Sequence, residues 1–141
     1  MALQDFTLLA KLEDFDLYSH KVCQNFNKSE RHVLSASIRD NIQQITFLVI
    51  EAAKTQLEER RRKRPPVRTL DILKRADIRL EYLKMQIRKA HNLKQTDTRT
   101  YEAWAGMARE LGSLLGGWLK KVEPAAESSH PRQPQKQQQL F

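Results

Sequence analysis

The sequence has few cysteines and few residues that interrupt helices. Its single cysteine, Cys23, cannot form a disulfide within the chain, which fits a reducing compartment. Only 4 glycines and 5 prolines occur in 141 residues, and most of the prolines come late. Together with a hydrophobic content of 40%, this scarcity of helix breakers favours long helices around a buried core.

A long hydrophobic run is also missing. The longest, ITFLVI at residues 45–50, is far shorter than the roughly 20 apolar residues that cross a bilayer. The first residues do not combine a basic stretch with an apolar block, so we expect no signal peptide. The sequence therefore predicts a cytoplasmic protein with no membrane partner.

Residue clusters that carry catalysis or bind metals are absent as well. The four histidines are far apart and have no cysteine or carboxylate at metal-ligand spacing. The order of side chains does not suggest a Ser-His-Asp or Cys-His nucleophile, and no glycine-rich phosphate loop occurs. We therefore expect no enzymatic activity, no metal, no cofactor and no small-molecule substrate.

Apolar residues recur at helical spacing in four segments, and a helix-breaking stretch follows each of them. No strand-like alternation occurs. The connections are short, so the sequence predicts an all-α fold, an antiparallel up-down four-helix bundle. The four stripes are Leu8, Leu12, Phe15, Ser19, Val22 and Phe26; Leu34, Ile38, Ile42, Ile45, Leu48, Val49 and Ala52; Leu73, Ala76, Leu80, Leu83, Ile87 and Ala90; and Trp104, Ala108, Leu111, Leu115, Trp118 and Val122.

The helix ends are predicted from capping residues. Asn27 or Ser29 is expected to cap the second helix, Thr69 the third, and one of Asp97, Thr98 and Thr100 the fourth. The bundle is expected to span residues 1–122, with a basic linker at 59–68 between the second and third helices. Residues 123–141 are rich in proline and glutamine, and we expect this tail to be disordered.

The net charge of +8 is unevenly distributed: residues 59–68 and 69–122 each have a net charge of +5, and the tail from residue 123 sums to zero. Residues 1–58 have six lysines and arginines against eight acidic residues, whereas RRRKRPPVR at 60–68 has six cations in nine positions. Such a run favours contact with nucleic acid, RNA or DNA. The cations of the third helix wrap around it instead of forming one stripe, which favours contact with the nucleic-acid backbone over base-specific readout. The predicted nucleic-acid-binding residues are Arg60, Arg61, Arg62, Lys63, Arg64, Arg68, Lys74, Arg75, Arg79, Arg88 and Lys89.

Two helix faces carry residues that an isolated bundle does not need. Three large apolar residues of the third helix lie nearly opposite its core stripe, and small residues of the fourth helix lie on its far side. Small residues let another backbone approach closely, either a neighbouring helix or another subunit. The predicted oligomer interface comprises Ile78, Tyr82, Met85, Gly106, Ser113 and Gly117.

The second half of the chain resembles the accessory variability determinant (Avd) family of diversity-generating retroelements. The similarity covers about residues 69–122 and ends in ELGSLLGGW, in which glycines directly precede a tryptophan. Ser113 departs from the family pattern, which usually has a basic residue there. The matching residues are Asp77, Arg79, Tyr101, Glu102, Glu110, Leu111, Gly112, Leu114, Leu115, Gly116, Gly117 and Trp118.

The resemblance implies a four-helix bundle that assembles into a pentameric, basic barrel. It also implies binding to the element's reverse transcriptase and to template RNA or cDNA, in support of mutagenic cDNA synthesis and retrohoming. Two alternatives remain open from the sequence. One is the four-helix protein encoded in ribosomal RNA intervening sequences, and the other is a basic helical adaptor that binds only protein.

Overall fold

The computed structural model describes residues 3–128, and within them it has four helices joined by short turns and no strand. Helix α1 is Leu3–Gln24, α3 is Val67–Asn92 and α4 is Thr98–Glu127. Helix α2 has three consecutive segments: a short α-helical turn (Lys28–Glu30), a π-helical segment (Arg31–Ser35) and a long α-helical part (Ala36–Arg61). The predicted all-α four-helix architecture is confirmed.

The core lies where the four predicted stripes meet, and every residue of those stripes is buried. Helix α1 packs against α2 and α4, and α3 packs against the same two helices on the opposite side of the core. Successive helices are thus neighbours in space, and the contact between α1 and α4 closes the bundle. Because a 3.6-residue period fixes which side chains share a face, the spacing alone was enough to identify this core.

Polar side chains inside the core also link specific helix pairs. The indole Nε1 of Trp104 donates to Ser19 Oγ at 2.8 Å, and that of Trp118 donates to Gln56 Oε1 at 3.2 Å. Between α2 and α3, the amide of Asn41 donates to Gln86 Oε1 at 3.1 Å. A buried amide that loses its partner is costly, so these bonds favour one register of the helices.

Two of the predicted helix caps are confirmed. Asn27 Oδ1 accepts from the backbone N–H of Glu30 at 3.0 Å, and Asp97 Oδ1 accepts from that of Thr100 at 2.7 Å. The second bond lowers the pKa of the Asp97 carboxyl from its ordinary value. Both side chains satisfy backbone N–H groups that have no partner within their own helix.

The predicted cap of α3 is wrong. The helix begins at Val67, so Thr69 lies inside the first turn, where it is fully buried. Its hydroxyl and its backbone N–H both donate to the carboxylate of Glu59, near the end of α2. The cap comes from the preceding helix, which the sequence spacing around Thr69 does not show.

The last helix is longer than predicted. It continues beyond residue 122 to Glu127 and includes Pro124. Ala126 is buried and extends the stripe of Trp118 and Val122 by another turn, so packing compensates for the backbone hydrogen bond that proline cannot donate. The rest of the predicted tail, residues 129–141, lies outside the described residues.

Candidate nucleic-acid interface

The predicted linker 59–68 is shorter in the structure, because its first and last residues belong to the helices on either side. Helix α2 ends at Arg61 and α3 begins at Val67, so only residues 62–66 connect them. Lys63 adopts a left-handed conformation with φ of 53°. The backbone N–H groups of Lys63 and Arg64 donate to the carbonyl oxygens of Arg60 and Glu59, at 3.0 and 2.8 Å. These two bonds form a Schellman motif, a helix ending that usually has glycine in place of Lys63.

Glu59 fixes the other side of this turn. Its side chain is buried, and its carboxylate accepts the backbone N–H groups of Arg68 and Thr69, each at 3.2 Å. The first turn of a helix is a site that phosphate can occupy, because its N–H groups have no intrahelical partner. Here Glu59 already occupies it. At this turn only the arginine and lysine side chains, and not these two N–H groups, are available to an anion.

Two of the arginines are partly neutralised within α2. Glu58 contacts Arg61 and Arg62, each at 2.6 Å. The hydrogen bond from Arg61 holds the pKa of the Glu58 carboxyl below its ordinary value. These three side chains form a local cluster on the helix surface, so Arg61 and Arg62 are weaker candidates for phosphate contacts than the sequence suggested.

The remaining four cations of the turn are exposed, and their side chains have no hydrogen bond or ion pair with any described residue. They lie in the last turn of α2, in the connection and in the first turn of α3. A cation in the first turn of a helix is unfavourable beside the positive end of the helix dipole, so the position of Arg68 is not explained by stability. These residues, called the basic turn below, are Arg60, Lys63, Arg64 and Arg68.

Some of the predicted cations of α3 also have a partner within the described residues, and others have none. Arg75 contacts Asp71 at 3.4 Å, Lys74 contacts Glu123 of α4 at 3.9 Å, and Arg79 donates to Asn41 of α2 at 3.4 Å. Arg88 and Lys89 are exposed and have no such partner among residues 3–128. The structure thus separates the basic turn at one end of α3 from Arg88 and Lys89 near the other end.

The predicted apolar face of α3 is exposed. Ile78, Tyr82 and Met85 expose 68%, 53% and 59% of their surface. Ile78 and Tyr82 also line a groove of about 580 Å³ between α2 and α3, together with Phe47, which is 66% exposed. Phe47 is not among the interface residues predicted from the sequence. Its exposure was predictable, because it lies opposite the core residues Ile45 and Val49 on the helix.

The glycines of α4 differ in their surroundings. A Cβ at position 112 would lie 3.1 Å from Nζ and 3.6 Å from Cε of Lys84, and 3.7 Å from Leu80, so Gly112 provides space for α3. A Cβ at Gly116 or Gly117 would meet no described atom within 4 Å, and one at Gly106 would approach only Arg109 of its own helix, at 3.6 Å. Close packing within the chain therefore accounts for Gly112 and leaves the other three glycines unexplained.

The described residues contain neither a metal-binding cluster nor a helix that could span a membrane. No group of three or more histidine, cysteine, aspartate or glutamate side chains in that part of the chain could hold a metal ion. Within residues 3–128, none of the helices has the length and apolar character needed to cross a membrane. Cys23 is buried in the core, and burial raises the pKa of its thiol.

Comparison with known proteins gives one result. A family model described as bAvd-like matches residues 6–122, which include α2, α3, the basic turn and most of α1 and α4. No match was found among curated proteins or among solved structures. The match also covers residues 6–68, which lie outside the segment 69–122 in which the sequence alone shows the resemblance.

Proposed function

The chain belongs to the bAvd-like family, and from that membership we propose that it is the accessory protein of a diversity-generating retroelement. In this role it has no catalytic activity of its own. It acts in the cytoplasm, where it binds the element's reverse transcriptase and nucleic acid, template RNA or cDNA. It thereby supports mutagenic cDNA synthesis and retrohoming.

The basic turn is the observation that supports nucleic-acid binding. Its four cations have no ion pair with any residue that the structure describes, and two backbone hydrogen bonds and the Glu59 carboxylate fix the backbone that carries them. A fixed backbone reduces the conformational entropy that is lost when phosphates bind. Each phosphate contact also releases a condensed counterion, which favours binding at low salt.

We expect replacement of Arg60, Arg64 and Arg68 by glutamine to weaken RNA binding and to reduce its salt dependence. Each lost phosphate contact should make the slope of log K against log salt concentration less negative by about 0.7 for single strands and 0.9 for duplexes. Three contacts together correspond to a change of about 2 to 3. Fluorescence anisotropy with labelled RNA at several salt concentrations measures the slope.

The matched control replaces Lys21, Lys28 and Lys54 by glutamine. These three lysines are exposed, have no ion pair among the described residues and lie outside the basic turn. Because three positive charges are removed in each case, this variant has the same net charge as the basic-turn variant. Its slope should stay close to that of the unmodified protein. Equal slopes for the two triple variants would show that the basic turn is not the binding site.

Binding to the reverse transcriptase is tested by co-expression of the chain with the enzyme and its template RNA. We expect the two proteins to co-purify and cDNA synthesis to depend on the chain. Normal cDNA synthesis without the chain, together with failure to co-purify, would contradict the proposed role. A protein-only adaptor would bind equally well after nuclease treatment and in high salt, and its binding would not respond to the Arg60, Arg64 and Arg68 substitutions.

We further propose that the chain assembles into a homo-oligomer, a pentameric barrel, through the two faces predicted from the sequence. The groove beside Ile78 and Tyr82 supplies an apolar surface, and the open space around Gly117 supplies a surface that another helix can approach closely. The two faces differ, so their contact is head-to-tail, the arrangement that generates closed rings.

Replacement of Gly117 by alanine is expected to weaken association of the subunits without destabilising the folded chain. The added methyl group meets no described atom of the same chain within 4 Å, so alanine should favour the helix by about 1 kcal/mol. In a close subunit contact the same methyl group costs about 1–3 kcal/mol through overpacking, which weakens association by about 5- to 150-fold. Gly116→Ala is the matched control, because a Cβ there also meets no described atom within 4 Å and residue 116 lies about 100° around the helix from Gly117. Equal association of both variants, measured by sedimentation at several dilutions, would exclude Gly117 from the interface.

A further inference from the structure

A second basic site lies between α3 and α4, away from the basic turn. The two helices border a cavity of about 350 Å³. Alanines contribute much of the α4 wall, and their small side chains leave the cavity open to solvent. The lining residues are Glu81, Lys84, Ile87, Arg88, Tyr101, Ala105, Ala108 and Arg109.

The charges of this cavity are not balanced. Lys84 contacts Glu81 at 3.1 Å, which neutralises one pair. Arg88 on α3 and Arg109 on α4 have no hydrogen bond or ion pair with any described residue, although both line the cavity. The lining thus has an excess of positive charge, with one arginine from each helix, which a bound anion would balance. Guanidinium groups bind phosphate through paired N–H donors.

An aromatic ring lies at the end of the same cavity. Tyr101 stacks on His91 with ring centroids 4.2 Å apart and an angle of 11° between the planes. The stack joins the end of α3 to the beginning of α4 and holds the tyrosine in place beside the cavity. A fixed aromatic ring near phosphate-binding groups is the arrangement with which proteins bind unpaired bases.

We propose that this cavity binds one nucleotide of a single-stranded nucleic acid. The phosphate lies between Arg88 and Arg109, and the base packs against Tyr101. The inference rests on the proposed function, because it takes nucleic acid as the partner. It goes further by selecting single strands over duplexes, since a paired base inside a duplex cannot reach a ring recessed between two helices.

The test compares single-stranded oligouridine with an RNA duplex of equal length, using the full chain. Tyr101→Leu and Arg109→Gln should each weaken binding of the single strand about tenfold, with little change for the duplex. Tyr101→Phe keeps the ring and should bind normally. Arg99→Gln is the matched charge control, because Arg99 is exposed in the first turn of α4 and does not line the cavity. Circular dichroism verifies that each variant is folded.

Competition distinguishes a nucleotide site from a general anion site. Uridine monophosphate should displace the single strand at concentrations at which inorganic phosphate, at the same ionic strength, does not. Equal displacement by both anions would overturn the inference, because the base would then contribute nothing. Equal weakening of single strand and duplex by Arg109→Gln would also overturn it.

Failure here is distinguishable from failure of the proposed function. If the cavity variants bind like the unmodified protein while the basic-turn variant loses its salt dependence, only the cavity inference is wrong. If neither set of substitutions changes RNA binding, nucleic-acid binding through both surfaces is wrong.

Discussion

Replacement of Trp104 by alanine is expected to lower the free energy of unfolding by about 3–5 kcal/mol. The indole is completely buried. It packs edge-to-face on Phe26, with ring centroids 6.4 Å apart, and its Nε1 donates to Ser19 of α1. Removal leaves a cavity between α4, α1 and Phe26. Domains of this size have about 5–15 kcal/mol of stability in total, so much of it is lost.

Trp104→Phe is the control for the hydrogen bond. It keeps an aromatic ring in the core and removes only the indole N–H and part of the volume, so its effect should be smaller than that of alanine. Urea denaturation followed by circular dichroism measures both variants. A loss below about 1 kcal/mol for Trp104→Ala would contradict the packing described for this residue.

Replacement of Glu59 by alanine is expected to cost about 2–4 kcal/mol, although the residue lies in a segment rich in arginine. Its carboxylate accepts three hydrogen bonds from Arg68 and Thr69. Without it, the buried hydroxyl of Thr69 and two N–H groups at the start of α3 lose their acceptor. The loss of these bonds outweighs the relief of charge crowding, because the affected groups of Thr69 are out of contact with water.

Glu58→Ala is the matched comparison, since it removes the same charge one residue away. Glu58 contacts Arg61 and Arg62 on the surface, and surface ion pairs contribute little to stability. Its substitution should therefore leave the thermal midpoint almost unchanged. If both variants unfold at the same temperature, Glu59 does not hold the start of α3.

The sequence was sufficient to predict the helices and the core. The stripes from Leu8 to Val122 are buried as predicted, because burial along a helix follows from spacing alone. The capping residues Asn27 and Asp97 were also predictable, because an N-cap bonds to a backbone N–H two or three residues ahead.

Features that depend on contacts distant in sequence were not predictable. Thr69 has the sequence signature of a cap, but Glu59 from the preceding helix performs that role. Pro124 has the signature of a helix end, but the burial of Ala126 extends the helix. For the candidate site, the sequence identified the cations but not their partners, so it could not separate Arg61 and Arg62 from Arg60 and Arg64.

The up-down order of the helices also determines how the protein can be labelled. The first residues of α1 and the last residues of α4 lie at the same end of the bundle as the connection between α2 and α3, which carries the basic turn. A fluorophore or affinity tag attached at the first residues of α1 or at the last residues of α4 therefore lies near the basic turn and can block it. A label placed between α3 and α4, near Lys94, lies at the opposite end of the bundle and leaves the basic turn accessible.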